Sequence, residues 1–346
     1  MKRPLLHCAL LALAASSPFS ADCAEPAADQ GARQWLEKMI EATQSLNYEG
    51  TFIYIQGPHV EAMRIVHGGG GQDEDRQRLV SLTGPPREIL ATKEGVVCLQ
   101  PDTRATPPSG EHRYARFPIN VPREIGRLES QYDFTLEGQD RAAGVEVQVV
   151  AIKPRDALRY GYRLWLDRRN GMLLRSALLD ERGEPIEQLM FTDMQIKDRI
   201  DETVFKSPIP TERVESPPAD RPDAEASSPQ GMPIGLSPWS VARLPDGFAK
   251  ILHNRFTEAS GRHPIEHMVF ADGLATVSVF VERLDGAAPL LQGDSRRGSM
   301  NAFGTRLDDY QILVVGEVPA ETVRQIAASI SYDHDAAKKL AEESKP

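Results

Sequence analysis

Between Ser207 and Pro238 the chain carries proline at short intervals, in Ser207-Pro-Ile-Pro210, Ser216-Pro-Pro218, Arg221-Pro222, Ala226-Ser-Ser-Pro229 and Leu236-Ser-Pro238. Acidic and small residues fill the gaps, and large apolar residues are few. Such a stretch cannot bury enough surface to offset its own ordering entropy. It reads as an interdomain linker over 207–238. A chain of 346 residues is therefore expected to fold as two bodies, a large domain over 28–206 and a small C-terminal domain over 239–333, with a polar tail over 334–346.

The first residues carry a different message. Lys2 and Arg3 precede a short apolar stretch from Leu5 to Ala15, followed by Ser16, Ser17, Ser20, Ala21 and Ala24. Charge, apolar core and small residues in that order predict a secretory signal peptide over 1–24, cleaved near 21–24. The apolar stretch is too short to cross a bilayer as a helix. Asp22 directly before Cys23 disfavours a lipoprotein anchor, which wants small residues there. Export opens the possibility that Cys23 and Cys98 pair. The favoured reading is an inert Cys98 on a strand, with the pairing left open. The net charge of −10 becomes more negative once Lys2 and Arg3 are removed, which argues against nucleic acid as a partner.

In the large segment, Trp35, Leu36, Met39, Ile40 and Leu46 follow a helical repeat. Strand patterns follow over 48–56, 60–67, 77–82, 87–92 and 96–100, a helix over 122–130, then strands over 132–136, 145–153, 160–167, 172–179 and 186–194. Gly57-Pro58, Gly84-Pro85-Pro86 and Asn170-Gly171 punctuate them as turns. In Thr51-Phe52-Ile53-Tyr54-Ile55 apolar residues fall on both sides of the pleat, so both faces are expected to meet apolar material. The small segment reads as strands over 240–244, 265–270, 274–282, 302–307 and 310–316. Hairpin turns fall at Asp272-Gly273 and Asp308-Asp309, and a helix follows Pro319. The fold class is α+β, mostly β, with a small antiparallel sheet-and-helix domain after the large one.

One motif tests for catalysis. His263-Pro-Ile-Glu-His267 matches a zinc-peptidase pattern that works only on a helix. Pro264 and the β-type run behind it predict a strand, on which the two imidazoles stand about 13 Å apart and cannot share one ion. There is no G-x-S-x-G elbow and no phosphate loop in the sequence. No catalytic residue, metal or cofactor is assigned, and the chain reads as a binding protein rather than an enzyme.

Several runs together resemble a known family. They are Tyr48-Glu-Gly-Thr-Phe-Ile-Tyr54, Gly84-Pro-Pro-Arg-Glu88, Arg159-Tyr-Gly-Tyr-Arg-Leu-Trp-Leu-Asp167, Asn170-Gly171 and Leu178-Leu-Asp-Glu-Arg-Gly183. The small segment adds Leu244-Pro-Asp-Gly-Phe248, Ala271-Asp-Gly-Leu-Ala275 and Val315-Gly-Glu-Val-Pro319. In their joint order these resemble the MucB/RseB family, periplasmic negative regulators of the sigma-E (AlgU) envelope-stress factor. The resemblance implies a large LolA/LolB-like unclosed antiparallel β-barrel with helices on its concave side. It implies periplasmic localisation and binding to the periplasmic part of a MucA/RseA-type anti-sigma factor. It also implies shielding of that factor from the site-1 protease, and release by lipopolysaccharide or another mislocalised lipid. On that basis Phe52, Tyr54, Met63 and Ile65 are the lipid-binding candidates, against plain core packing. Arg255, Phe256 and Arg262, taken to lie between strands, are the anti-sigma candidates, against an ordinary solvated loop. A lipid or lipoprotein carrier without a signalling role is the alternative, and a homo-oligomer stays open.

Overall fold

The computed structural model describes residues 27–69, 76–92, 95–99, 121–206, 232–233, 236–256, 263–286 and 288–343. The signal-peptide, Cys23 and Arg262 readings lie outside these residues, as does most of the linker.

Helix α1 (Ala27–Ser45) leads directly into β1 (Asn47–Gln56), and β2 (His59–Gly68), β3 (Arg76–Ser81), β4 (Glu88–Thr92) and β5 (Gly95–Leu99) follow. After a 3-10 turn at Ile125–Leu128 come β6 (Tyr132–Ala142), β7 (Val145–Pro154), β8 (Gly161–Asp167), β9 (Leu173–Leu179) and β10 (Pro185–Lys197). These ten strands form one antiparallel sheet in the order β5-β4-β3-β2-β1-β10-β9-β8-β7-β6. Two five-stranded meanders thus meet where β1 pairs with β10. Among the described residues β5 and β6 each have a neighbour on one side only, so the sheet is unclosed. The expected helix over 122–130 contracts to the 3-10 turn, because Gly126 and the charged Arg123, Glu124 and Arg127 leave only Ile125 and Leu128 to bury.

The strand alternation sorts the side chains. Phe52 sits opposite Met63 and Phe191, and Gly50 sits opposite Ile65. Phe52, Met63, Ile65 and Phe191 join Tyr48, Leu79, Ile89, Val147, Val149, Trp165 and Leu174 in one buried cluster. Each fully buried aromatic or aliphatic side chain contributes about 1.5–3 kcal/mol. Val150, Ile152, Leu164, Leu166 and Leu173 point the other way and meet Ala32, Leu36, Met39 and Ile40 of α1. The helix is anchored at the β8–β9 turn, where Lys38 Nζ donates to the carbonyls of Arg168 and Arg169. Gly171 there has φ +83°, and a Cβ would lie 2.6 Å from the Lys38 side chain, so glycine is required.

Burial on both faces is therefore a property of β7, β8 and β9. The expectation of two buried faces at residues 51–55 is met on one side only. Phe52 is fully buried, but Ile53 and Ile55 are half-buried, and α1 does not extend over them. Val60, which pairs with Ile55, and Leu82, whose amide donates to Ala62, are exposed on the same side.

The second sheet is built from β11 (Met232–Pro233), β13 (Ala249–Phe256), β14 (Ile265–Ala271), β15 (Thr276–Arg283), β16 (Gly293–Arg297), β17 (Met300–Leu307) and β18 (Tyr310–Gly316). Its order is β11-β13-β14-β15-β18-β17-β16. Between β11 and β13 lies β12 (Trp239–Val241), which pairs with β19 (Ile330–Tyr332), the strand after helix α2 (Ala320–Ala328). Val323 and Ile326 of α2 pack on Met268, Phe270, Val277, Val279, Ile312 and Val314. The strand expected over 240–244 stops at Val241. Residues 334–346, read as a polar tail, include helix α3 (His334–Glu343), whose first turn is held by Asp333 accepting from the amides of Asp335 and Ala336.

Candidate functional site

The four lipid-binding candidates share one face of β1 and β2. Phe52, Met63 and Ile65 have no exposed surface, and the Phe52 and Phe191 rings meet at 5.6 Å. Gly50 leaves no slack beside them, since a Cβ there would lie 2.5 Å from the Asp193 carbonyl oxygen. In this state the face is closed packing, and a lipid reaches it only if strands or side chains part. Tyr54 differs from the other three. Its hydroxyl donates to Glu187 Oε2 at 2.7 Å, and the same carboxylate meets Gln56 and Ser299, the latter in the β16–β17 turn of the small domain. The Ser299 hydroxyl, with one proton to give, also lies in hydrogen-bond contact with Glu317.

Arg255 and Phe256 are not in a loop between strands. They close β13, a strand the sequence reading missed, because its apolar Ile251 and Leu252 are adjacent rather than alternating. Phe256 is buried, and Arg255 is partly exposed with its guanidinium 3.1 Å from Glu266 Oε2. Glu266 also accepts from His253 Nε2 at 2.7 Å and from Ser237 Oγ. Burial works to raise the Glu266 pKa. Hydrogen bonds from His253, Ser237 and Arg255 outweigh that and hold it below the ordinary value. The glutamate stands between the serine and the histidine, so the trio does not have the serine–histidine–acid order of a nucleophile relay.

The H-x-x-E-H residues fall on and before β14, as the strand reading requires. His263 faces Asp285, while His267 is buried and stacks on Phe280 at 4.3 Å with the rings 2° from parallel. Burial, with a smaller contribution from His253, pushes the His267 pKa down to about 4.

The most developed polar site lies where the two sheets meet, and no sequence signal pointed to it. Arg159, in the turn between β7 and β8, is fully buried. Its Nη1 donates to Asp272 Oδ2 at 2.9 Å and its Nη2 to the Asp246 carbonyl at 2.6 Å. Nε reaches Asp156 at 3.2 Å. The guanidinium lies 5.7 Å from the Tyr132 ring of the large sheet and 5.2 Å from the Phe248 ring beside the small one. Asp272 begins the β14–β15 turn. Its Oδ1 accepts from the amides of Leu274 and Ala275, and its Oδ2 takes both Arg159 and the Tyr132 hydroxyl, the latter at 2.9 Å. Burial first, and then the Asp272 charge, raise the Tyr132 pKa, so the phenol stays a donor. Thr322 in α2 donates to the Leu158 carbonyl at 2.6 Å, and Asn301 donates to the Tyr160 hydroxyl at 2.9 Å. In the sequence Asp272-Gly273 reads as a hairpin turn and as part of a family run, and Arg159 as part of another family run, with nothing to pair the two.

Both halves of the chain match known proteins. Residues 31–209 match the family model of the MucB/RseB N-terminal domain, and residues 234–331 that of the C-terminal domain. The chain is 29% identical to the sigma-E factor regulatory protein RseB of Haemophilus influenzae, over 96% of this chain and 99% of the relative. It is 31% identical to the sigma factor AlgU regulatory protein MucB of Pseudomonas aeruginosa, over 89% of this chain and 93% of the relative. The structure of the Pseudomonas aeruginosa MucA/MucB complex superposes with a TM-score of 0.69 and 27% identity, covering 88% of this chain and 99% of that one. MucB bound to the periplasmic part of MucA gives a TM-score of 0.67 at 28% identity, covering 87% and 99%. Both halves of the chain, in order and over nearly their full length, thus place it in the MucB/RseB family.

Proposed function

We propose that this protein is a periplasmic regulator of a sigma-E/AlgU-type envelope-stress response. It binds the periplasmic part of a MucA/RseA-type anti-sigma factor and shields it from site-1 proteolysis. Lipopolysaccharide or a mislocalised lipid releases it. The observation that carries this reading is the full-length match to MucB and RseB regulators, among them a MucB solved in complex with the periplasmic part of MucA. The export signal read at residues 1–24 agrees with that compartment.

The residues divide between two tasks. Arg255, Phe256 and Arg262 are the proposed anti-sigma contacts in the small domain. Phe52, Met63 and Ile65 are the proposed lipid contacts, reached when the large sheet opens, with Tyr54 at the margin. Release by a lipid requires that the lipid prefer a state in which the partner binds poorly.

The test is affinity of the mature protein for the periplasmic segment of its cognate anti-sigma factor, with and without lipopolysaccharide. Binding that weakens with lipid supports the reading. No binding in either condition refutes it and favours a lipid carrier.

A further inference from the structure

The contact between the two sheets combines apolar packing, with Leu274 set against the cluster that holds Ile125 and Leu128, with a fully buried ion pair at its centre. We propose that Arg159 and Asp272 form a latch that holds the two domains in the partner-binding arrangement, and that opening this latch is the step by which the partner is released. The inference rests on the regulator reading for its last clause; the latch itself stands on geometry alone.

Three features support it. First, the pair is fully buried, and three hydrogen bonds cross the junction at this one point. Arg159 spends Nη1 on Asp272 and Nη2 on the Asp246 carbonyl, and Asp272 Oδ2 takes Tyr132 as well. Second, the guanidinium lies between one aromatic ring from each side, Tyr132 and Phe248. Third, Asp272 is fixed before it meets the large sheet, because Leu274 and Ala275 hold its other oxygen. The carboxylate is therefore presented as a rigid part of the hairpin.

Such a contact behaves differently from a greasy one. Burying two ions costs desolvation that their attraction barely repays, so an Arg–Asp pair adds less stability than well-packed apolar residues would. Its worth is in direction. The ion pair, the Tyr132–Asp272 hydrogen bond and the Phe248 ring contact share one centre and all cross the junction, so they are lost together as the surfaces part. Water then recovers both ions, which favours the open state. The junction thus has two discrete states rather than a sliding range. Domain contacts that are not large and apolar are expected to move.

Asp272→Asn tests this in the full mature chain. Asparagine keeps the oxygen that holds Leu274 and Ala275, but it removes the charge and points an amide at two other donors. Small-angle X-ray scattering reads the domain arrangement, and titration with the periplasmic segment of the cognate anti-sigma factor reads function. The expected result is a larger radius of gyration and partner affinity lowered at least about tenfold, as for a binding-competent state reduced to a tenth of the molecules. Tyr132→Phe, which removes one hydrogen bond and keeps the ring, should shift both readouts the same way by less. It serves as the deciding variant if Asp272→Asn fails to fold. Scattering and affinity within about twofold of wild type in the folded variant overturn the latch. A wild-type protein that does not bind the partner overturns the regulator reading instead, while scattering still decides the latch.

Discussion

His267 offers the most direct test of the energetics in the small domain. It is buried on β14 against Phe280, and its pKa is pushed from 6.5 down to about 4. Above pH 6.5 the imidazole is neutral whether the chain is folded or not. Below that, the unfolded chain takes up a proton that the folded one refuses until about pH 4. Unfolding is then proton uptake, so stability falls as pH drops from 6.5 to 4 and this group costs nothing further below. At about pH 4.5 the loss works out to about 2.5 kcal/mol. The perturbation is His267→Phe, which keeps a flat ring on Phe280 and cannot titrate. Urea unfolding at about pH 7.5 and about pH 4.5, read at the β14 and β15 amides by hydrogen exchange, gives a pH effect for each protein. The wild type should lose about 2.5 kcal/mol more than the variant between the two conditions. Glu266 enters both equally. Its depressed pKa gives stability that is present above the ordinary 4.5 and fades as pH falls below it. A difference under about 0.5 kcal/mol would mean that the folded ring accepts a proton readily and that burial there is not what sets its charge.

Other expectations follow from single contacts. Phe52→Ala should destabilise the large sheet by about 3–5 kcal/mol in urea titration, as for a closed core; a loss below about 1 kcal/mol would identify an open cavity wall instead. Gly50→Ala should abolish soluble folded protein, because its Cβ would strike the Asp193 carbonyl at 2.5 Å; a stable variant with native circular dichroism would show that β1 and β10 can separate freely. Arg255→Glu should lower partner affinity several-fold without changing the thermal midpoint by more than a few degrees; unchanged affinity removes β13 from the contact. Thr322→Val should cost about 1 kcal/mol through loss of its bond to the Leu158 carbonyl, seen as a lower thermal midpoint.

How far the sequence revealed this protein depends on the kind of signal. Local signals carried the strands of the large sheet, because alternation and turn residues act within a few positions. Asn170-Gly171 and Asp272-Gly273 both turn hairpins as read, with Gly171 at φ +83° and Gly273 at φ +105°. Polar strands were lost. Residues 137–142 of β6 and the charged β16 carry no apolar periodicity, and only their hydrogen bonding to a neighbour makes them strands. The junction was illegible for a deeper reason. Arg159 and Asp272 are 113 positions apart, and each alone resembles a solvated charge in a turn. Burial of an ion is a decision of tertiary packing, and nothing near either residue announces it. The four lipid candidates were found together because strand parity is local, but whether they are core or cavity depends on what else the curled sheet brings over them.

An unclosed sheet also has consequences for life at high concentration. Strand β6 ends the large sheet with backbone groups that any other extended chain could pair with, and fibrils grow from such rows. Its sequence resists that use. A bulge between Leu136 and Gln139, with Gly138 at φ +95°, breaks the straight run of donors and acceptors. Asp133, Glu137, Asp140 and Arg141 put charge along the same strand, three of them tied to Arg155, Arg163 and Trp165. A copy approaching edge to edge would have to straighten the bulge and bring like charges together. The charged residues that hid the second half of β6 from a periodicity search also oppose edge-to-edge pairing there.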